Sequence, residues 1–228
     1  MKIAVVGGTG DFGLALGRQL AAVGESVVIG SREAERARDA ADRIGAAGAS
    51  NEDAVRGVDL VVLAVKAEAA LPMAASLASA IGDTPVLSVA SVLRFTKEGV
   101  HPGDELLSIA ERTQELLHGP VAAGLHSLAA SSLATGKADG DAFICGDDPD
   151  AKQLALELAA QLVTGRALDA GPLSSARALE GMTAVIVNLN RRYKGHAGLR
   201  IVGLPLAASP SFPSRVSRSC ARETTSRR

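Results

Sequence analysis

A chain of 228 residues, 47% of them hydrophobic, is long enough to bury the core of one α/β domain with a small appendage. Its formal charge of −1, from 24 basic and 25 acidic residues, supplies no field for nucleic acid, and 2% aromatics leave little for bases to stack on. No apolar run reaches the ~18 residues of a membrane span, the start leaves no room for a leader, and Cys145 and Cys220 lack the neighbours of a disulfide framework or metal site. The expectation is a cytoplasmic protein.

Residues 2–6 read as a buried parallel strand, an apolar run that breaks into Gly7-Gly-Thr-Gly-Asp-Phe-Gly13 and restarts as an alanine- and leucine-rich helix over 11–23. Gly8, Gly10 and Gly13 fit the G-x-G-x-x-G pattern between strand and helix. The first permits a tight turn, the second lets backbone approach a pyrophosphate, and the third lets helix pack on strand. The pyrophosphate is then expected on the amide groups and positive dipole end of the helix opening near Asp11.

A second strand, 26–30, leads into Gly30-Ser31-Arg32, where an NAD site usually carries a carboxylate for the ribose hydroxyl. A hydroxyl and a guanidinium there suit a 2′-phosphate instead, since a planar fork of donors matches phosphate oxygens. Arg36, one turn on, fits either a second phosphate contact or a solvated position in the helix predicted over 33–44. Glu33 falls on the opening turn of that helix, where it complements the dipole.

Further strands are expected at 59–65, 85–89, 120–125, 141–145 and near 166–169, with helices at 67–81, 104–118 and 150–163. Such alternation predicts a Rossmann-like, doubly wound, mostly parallel α/β sheet covered on both faces, spanning residues 1–169. Ligands bind such sheets beyond the carboxyl ends of the strands, which makes Val65-Lys66, Ala90-Ser91 and Leu125-His126 the candidate rim.

After Pro172 a different helix is expected over about 174–192, with Leu179, Met182, Val185, Ile186 and Leu189 on one apolar face. The segment 170–204, this helix plus a short strand, either closes the cleft or pairs with its copy in a dimer. From Pro205 to Arg228 the chain has six serines, five arginines and one acid, a composition that predicts a disordered basic tail. Such a tail fits an acidic partner, a solubilising end or an extension with no role in the fold.

The fingerprint with Ile29-Gly-Ser-Arg32 resembles the NADPH-dependent coenzyme F-420 reductases, also called F-420H2:NADP oxidoreductases. Leu125-His-Ser127, Cys145-Gly-Asp-Asp148, Leu168-Asp-Ala-Gly-Pro-Leu-Ser174 and Gly198-Leu-Arg-Ile-Val-Gly-Leu204 extend the likeness over residues 1–204. Beside the homodimer expected from the amphipathic helix, the resemblance implies reversible hydride transfer between C4 of the nicotinamide of NADP(H) and C5 of an 8-hydroxy-5-deazaflavin, coenzyme F-420. It implies NADP contacts at Thr9, Gly10, Asp11, Phe12, Ser31, Arg32 and Arg36, and ring-pocket positions around Val65 and from His126 to Ala129. The chain departs from the family pattern after the third strand, with Lys66 and Ala67 where a proline and an aromatic are usual.

Transfer between two stacked carriers needs orientation more than acid–base groups, so no catalytic side chain is assigned beyond the candidate His126. That histidine either sits near the deazaflavin and tunes its charge or simply bonds to backbone at the sheet edge. Asp147 and Asp148, ahead of Pro149, read as helix caps, and Cys145 as core. His101, His118 and His196 read as solvated. Two other functions fit the nucleotide motif: an imine or pyrroline-carboxylate type reductase, and a non-enzymatic NADP sensor acting through the tail. A short-chain reductase is excluded, because Ala197 stands four residues after the sole tyrosine, Tyr193, where lysine is required.

Overall fold

The computed structural model describes residues 1–204, so the expected disordered tail, 205–228, lies outside the described residues. Ile3, Ala4, Val5 and Val6 in β1 (Lys2–Val6) have no exposed surface, the pattern of a central strand covered on both sides. β1 leads through the glycine turn into α1 (Asp11–Ala22), β2 (Ser26–Ser31) and α2 (Ala34–Asp42). β4 (Leu60–Leu63), α4 (Ala67–Ile81) and β5 (Val86–Ser88) follow β3 (Ala47–Ser50) and α3 (Asn51–Ala54). The chain goes on through β6 (Leu93–Phe95), β7 (Val100–Pro102), α5 (Ile109–Gln114), β8 (Val121–Gly124), α6 (Ala130–Thr135) and β9 (Ala142–Gly146). It ends with α7 (Pro149–Leu162), β10 (Ala167–Asp169), a 3-10 turn at Leu173–Ser175 and α8 (Ala176–Tyr193).

Eight strands form one sheet in the order β10-β9-β8-β5-β4-β1-β2-β3. The chain runs outward from β1 to β3, then returns to the other side of β1 as β4. The switch point therefore lies between β1 and β4, where a crevice opens at the carboxyl ends. All neighbours pair in parallel except β8 and β9. Alternate residues of β1 feed two cores. Ile3 and Val5 meet Leu16, Leu20, Leu158 and Leu162 from α1 and α7, whereas Ala4 and Val6 face Ala70, Leu77, Ile109 and Leu179 from α4, α5 and α8.

Several elements differ from the sequence expectation. β3, Ala-Gly-Ala-Ser, has no branched or aromatic residue, and it pairs along the sheet edge with β2, placing Ser50 opposite Ser31. The helix expected over 104–118 shrinks to α5, whose start is fixed by a capping box. Ser108 Oγ accepts from Glu111 N–H, and the Glu111 carboxylate accepts from Ser108 N–H. Residues 104–108 ahead of it are irregular, and before them β6 and β7 form a hairpin outside the main sheet. On α8, Val185 is 54% exposed rather than on the apolar face, while Ala176, Leu179, Ala184 and Ile186 are buried. The short strand expected after α8 is not formed. Residues 195–204 run irregularly and are held by bonds of Asp141 N–H to Leu199 O and of Ile201 N–H to the Asp141 carboxylate. No helix among the described residues is long and apolar enough to cross a membrane.

Candidate active site

The left-handed residue of the turn after β1 is Gly7, at φ +74°, and not Gly8, the glycine expected to permit the tight turn. A Cβ on Gly8 would instead strike Val5 O at 2.8 Å and Ile29 Cγ2 at 2.9 Å. A Cβ on Gly13 would fall 2.8 Å from both Gly7 O and Gly8 Cα, so the third glycine permits α1 to press on the turn. Gly10 differs, because a Cβ there meets nothing closer than Gly7 O at 3.5 Å. The protein's own packing does not require glycine at that position. Gly10 is also the N-cap of α1 and provides no side-chain cap. The N–H groups of Asp11, Phe12 and Gly13 therefore open to the solvent side of the crevice with a positive dipole end behind them. Such a cradle at a helix end suits an anion.

From that cradle a cleft of about 380 Å³ extends along the sheet rim. Its floor includes Ala64, Val65 and Lys66 after β4, Ala90 and Ser91 after β5, and Leu125 and His126 after β8. All three strand ends expected to form the rim do so. Of the fingerprint, Gly10, Asp11, Phe12 and Gly13 line the cleft, whereas Gly8 is buried under the turn and Thr9 stands half-buried beside it. Ala129 is the N-cap of α6, next to the cleft-lining Leu128 but not itself in the wall. Ser31, Arg32 and Arg36 lie on the other side of β1, at the end of β2 and the start of α2. Ser31 is buried, with its Oγ 3.4 Å from Glu33 N–H. Both guanidinium groups are exposed, and neither has a carboxylate partner among the described residues. They are free to meet an anion.

Leu125 has φ +65°, a left-handed conformation that costs a bulky residue about 1–2 kcal/mol. Its N–H bonds Phe143 O at 3.3 Å and its carbonyl accepts Leu128 N–H at 2.9 Å. The bend turns the chain sharply off β8 and sets the next residue, His126, in the cleft wall. A carbonyl can only accept, so His126 Nε2 carries the hydrogen that bonds Ala90 O at 3.3 Å. Burial lowers the imidazole pKa to about 4 although that bond works to raise it. The ring in the wall is neutral at pH 7.

Thr183, on α8, also lines the cleft and is invisible to sequence reasoning, since it shows only as a polar residue inside an amphipathic helix. Its Oγ1 bonds His126 O at 3.1 Å and Ser91 Oγ at 2.9 Å, tying α8 to two strand ends. The remaining expected residues keep to packing. Asp148 Oδ1 caps α7 by accepting Ala151 N–H, and Asp147 Oδ1 accepts Leu173 N–H. Cys145 is fully buried, which pushes its thiol up to about 12. His196 Nδ1 lies 2.8 Å from Ser131 Oγ, a partner its sequence surroundings did not suggest.

Comparison with known proteins agrees with this geometry. Residues 2–92 match the family described as "NADP oxidoreductase coenzyme F-420-dependent", the part that carries the cradle and two of the three rim segments. An F-420-dependent NADP reductase of Methanothermobacter thermautotrophicus is 36% identical over 90% of this chain and 96% of its own length. The reductase of the same description from Methanocaldococcus jannaschii is 30% identical over 90% of this chain and 100% of its own length. Among solved structures, a protein of Arthrobacter sp. FB24 superposes with a TM-score of 0.74 at 24% identity, covering 88% of this chain and 97% of that one. A pyrroline-5-carboxylate reductase of Coxiella burnetii shares the fold more distantly, with a TM-score of 0.61 at 16% identity and 66% of that chain covered. With relatives at 30% identity or more matched along nearly their whole length, the chain belongs to the family of F-420-dependent NADP reductases.

Proposed function

We propose that this protein catalyses reversible hydride transfer between NADP(H) and coenzyme F-420. The observation that carries the reading is the open cradle at Gly10–Gly13, continuous with a cleft walled mostly by small and apolar groups, with Asp11 and Lys66 as its charged residues. The fit with a dinucleotide rests on Gly10, where the space a side chain would fill is left free although the fold does not need it. When both carriers are bound, C4 of the nicotinamide and C5 of the deazaflavin exchange a hydride.

The chain's own residues bind and orient. Asp11, Phe12 and Gly13 N–H groups hold the diphosphate, with Gly8 and Thr9 shaping the turn. Ser31, Arg32 and Arg36 receive the 2′-phosphate. Val65, Ala90, Leu125 and Leu128 exclude water from the reacting rings, which strengthens the electrostatic interactions inside. His126 lines the deazaflavin side as a neutral ring, with Ala129 just beyond it at the start of α6. Residues 1–169 form the NADP-binding unit, and α8 within 170–204 closes the cleft through Thr183. The active form is a cytoplasmic homodimer in which exposed apolar side chains such as Val185 and Phe95 are covered by the second copy.

The test follows the deazaflavin absorbance with NADPH. Bleaching that needs the enzyme and runs faster with NADPH than with NADH supports the reading. NADPH oxidation on an imine or pyrroline carboxylate without deazaflavin refutes it, as does binding of NADPH without turnover on any acceptor.

A further inference from the structure

The cleft holds a three-member hydrogen-bond chain whose direction can be read from its ends. Thr183 Oγ1 lies 3.1 Å from His126 O, and because a carbonyl has no hydrogen, the threonine hydroxyl must donate there. That spends its single hydrogen. In the 2.9 Å contact between Thr183 Oγ1 and Ser91 Oγ, Ser91 is then the donor. Ser91 in turn has no hydrogen left, and among the described residues nothing donates to its Oγ. It stands in the cleft wall as a pure acceptor.

We propose that Ser91 Oγ is a recognition element for an amide N–H of the bound carriers, with its polarity fixed by Thr183 acting as a positioning residue. This rests on the hydride-transfer reading. At the reacting rings the two carriers offer two such groups, the carboxamide NH2 of the nicotinamide and the ring N3–H of the deazaflavin. Sheet order favours the first. The diphosphate cradle lies at β1 and the adenosine site at β2, so the other half of the dinucleotide runs towards β4 and β5, and Ser91 lies three residues past the end of β5. An uncommitted serine hydroxyl tolerates donor or acceptor, whereas one locked by Thr183 rejects a ligand that lacks the N–H. The relay thus converts a permissive residue into a selective one.

Calorimetric dissociation constants for NADPH and its 3-acetylpyridine analogue, in which a methyl replaces the NH2, test this without turnover. The wild type should prefer NADPH by about five- to tenfold, the size of one neutral hydrogen bond. Ser91→Ala should bring the two constants within about twofold. Thr183→Val should do the same, because it frees the Ser91 hydrogen, and Thr183→Ser should restore the preference. Unfolding midpoints of the variants establish that all three are folded. An unchanged preference in Ser91→Ala overturns the proposal. A wild type that binds and reduces normally with no preference also overturns it and leaves the hydride-transfer reading intact, whereas failure to bind NADPH at all overturns both. The N3-methyl deazaflavin forms the second arm. If Ser91→Ala erases discrimination against that compound and not against the acetylpyridine analogue, the assignment to the nicotinamide is overturned.

Discussion

Replacing Gly10 by valine separates what the nucleotide requires from what the fold requires. Gly10 has φ −79° and ψ 163°, extended backbone that a branched residue adopts readily, and its Cβ would meet only Gly7 O, at an ordinary 3.5 Å. The variant should therefore unfold at the same denaturant concentration as the wild type, or be more stable by up to about 1 kcal/mol through lost unfolded-state freedom. Binding should fail. The new methyl groups occupy the space in front of the Asp11, Phe12 and Gly13 N–H groups, each worth about 1.5–3 kcal/mol to a charged acceptor. Losing two at the lower figure costs about 3 kcal/mol, or about 100-fold in Kd for NADPH and NADH alike. Gly13→Ala is the opposite case. Its Cβ lies 2.8 Å from backbone on two sides, so overpacking should lower stability by about 1–3 kcal/mol. Calorimetric titration with NADPH, run beside urea unfolding, reads both effects. Retained affinity in Gly10→Val would show that the turn does not hold the diphosphate, and the account of the site would fail with it.

Arg32→Ala should weaken NADPH about tenfold and leave NADH nearly unchanged, since the exposed guanidinium meets only the 2′-phosphate; equal losses would remove that assignment. Asp141 anchors the segment after α8. Burial would raise its pKa, but hydrogen bonds from the Arg166 side chain and backbone and from Ile201 N–H draw it down to about 2. Its stabilisation is present above the ordinary carboxyl pKa and lost as pH falls towards 2, so Asp141→Asn should cost about 2 kcal/mol at pH 7 and converge with the wild type near pH 2 in urea unfolding. Glu180 behaves in the reverse sense. Burial pushes its carboxyl up to about 7 although it accepts Ala110 N–H at 3.3 Å, so the folded state holds a proton that the unfolded chain releases. Stability should fall as pH rises from about 4.5 to 7, by on the order of 2–3 kcal/mol, and Glu180→Gln should flatten that slope. A wild-type slope of the opposite sign would exclude the buried proton.

Local chemistry wrote part of this protein directly into the chain. Unbroken apolar runs gave β1 and β4, glycine spacing gave the turn into α1, and Pro149 after Asp148 gave the start of α7. Each depends on neighbours within a few residues, which is the range over which backbone sterics, capping and periodicity act. The strand ends of the rim were legible for the same reason, because a parallel sheet places its ligands by topology. What remained hidden depends on contacts far apart in sequence. β3, with only alanine, glycine and serine, is a strand because the edge of β2 lies open to it. β9 pairs antiparallel with β8 across the intervening α6, and the left-handed Leu125 is held where its N–H meets Phe143 O. Thr183 enters the cleft only when α8 packs across β8, and only burial lowers the His126 pKa to about 4. Sequence set which groups the site owns, and tertiary packing decided which face each other, since desolvation and hydrogen-bond direction arise from surroundings that no single segment contains.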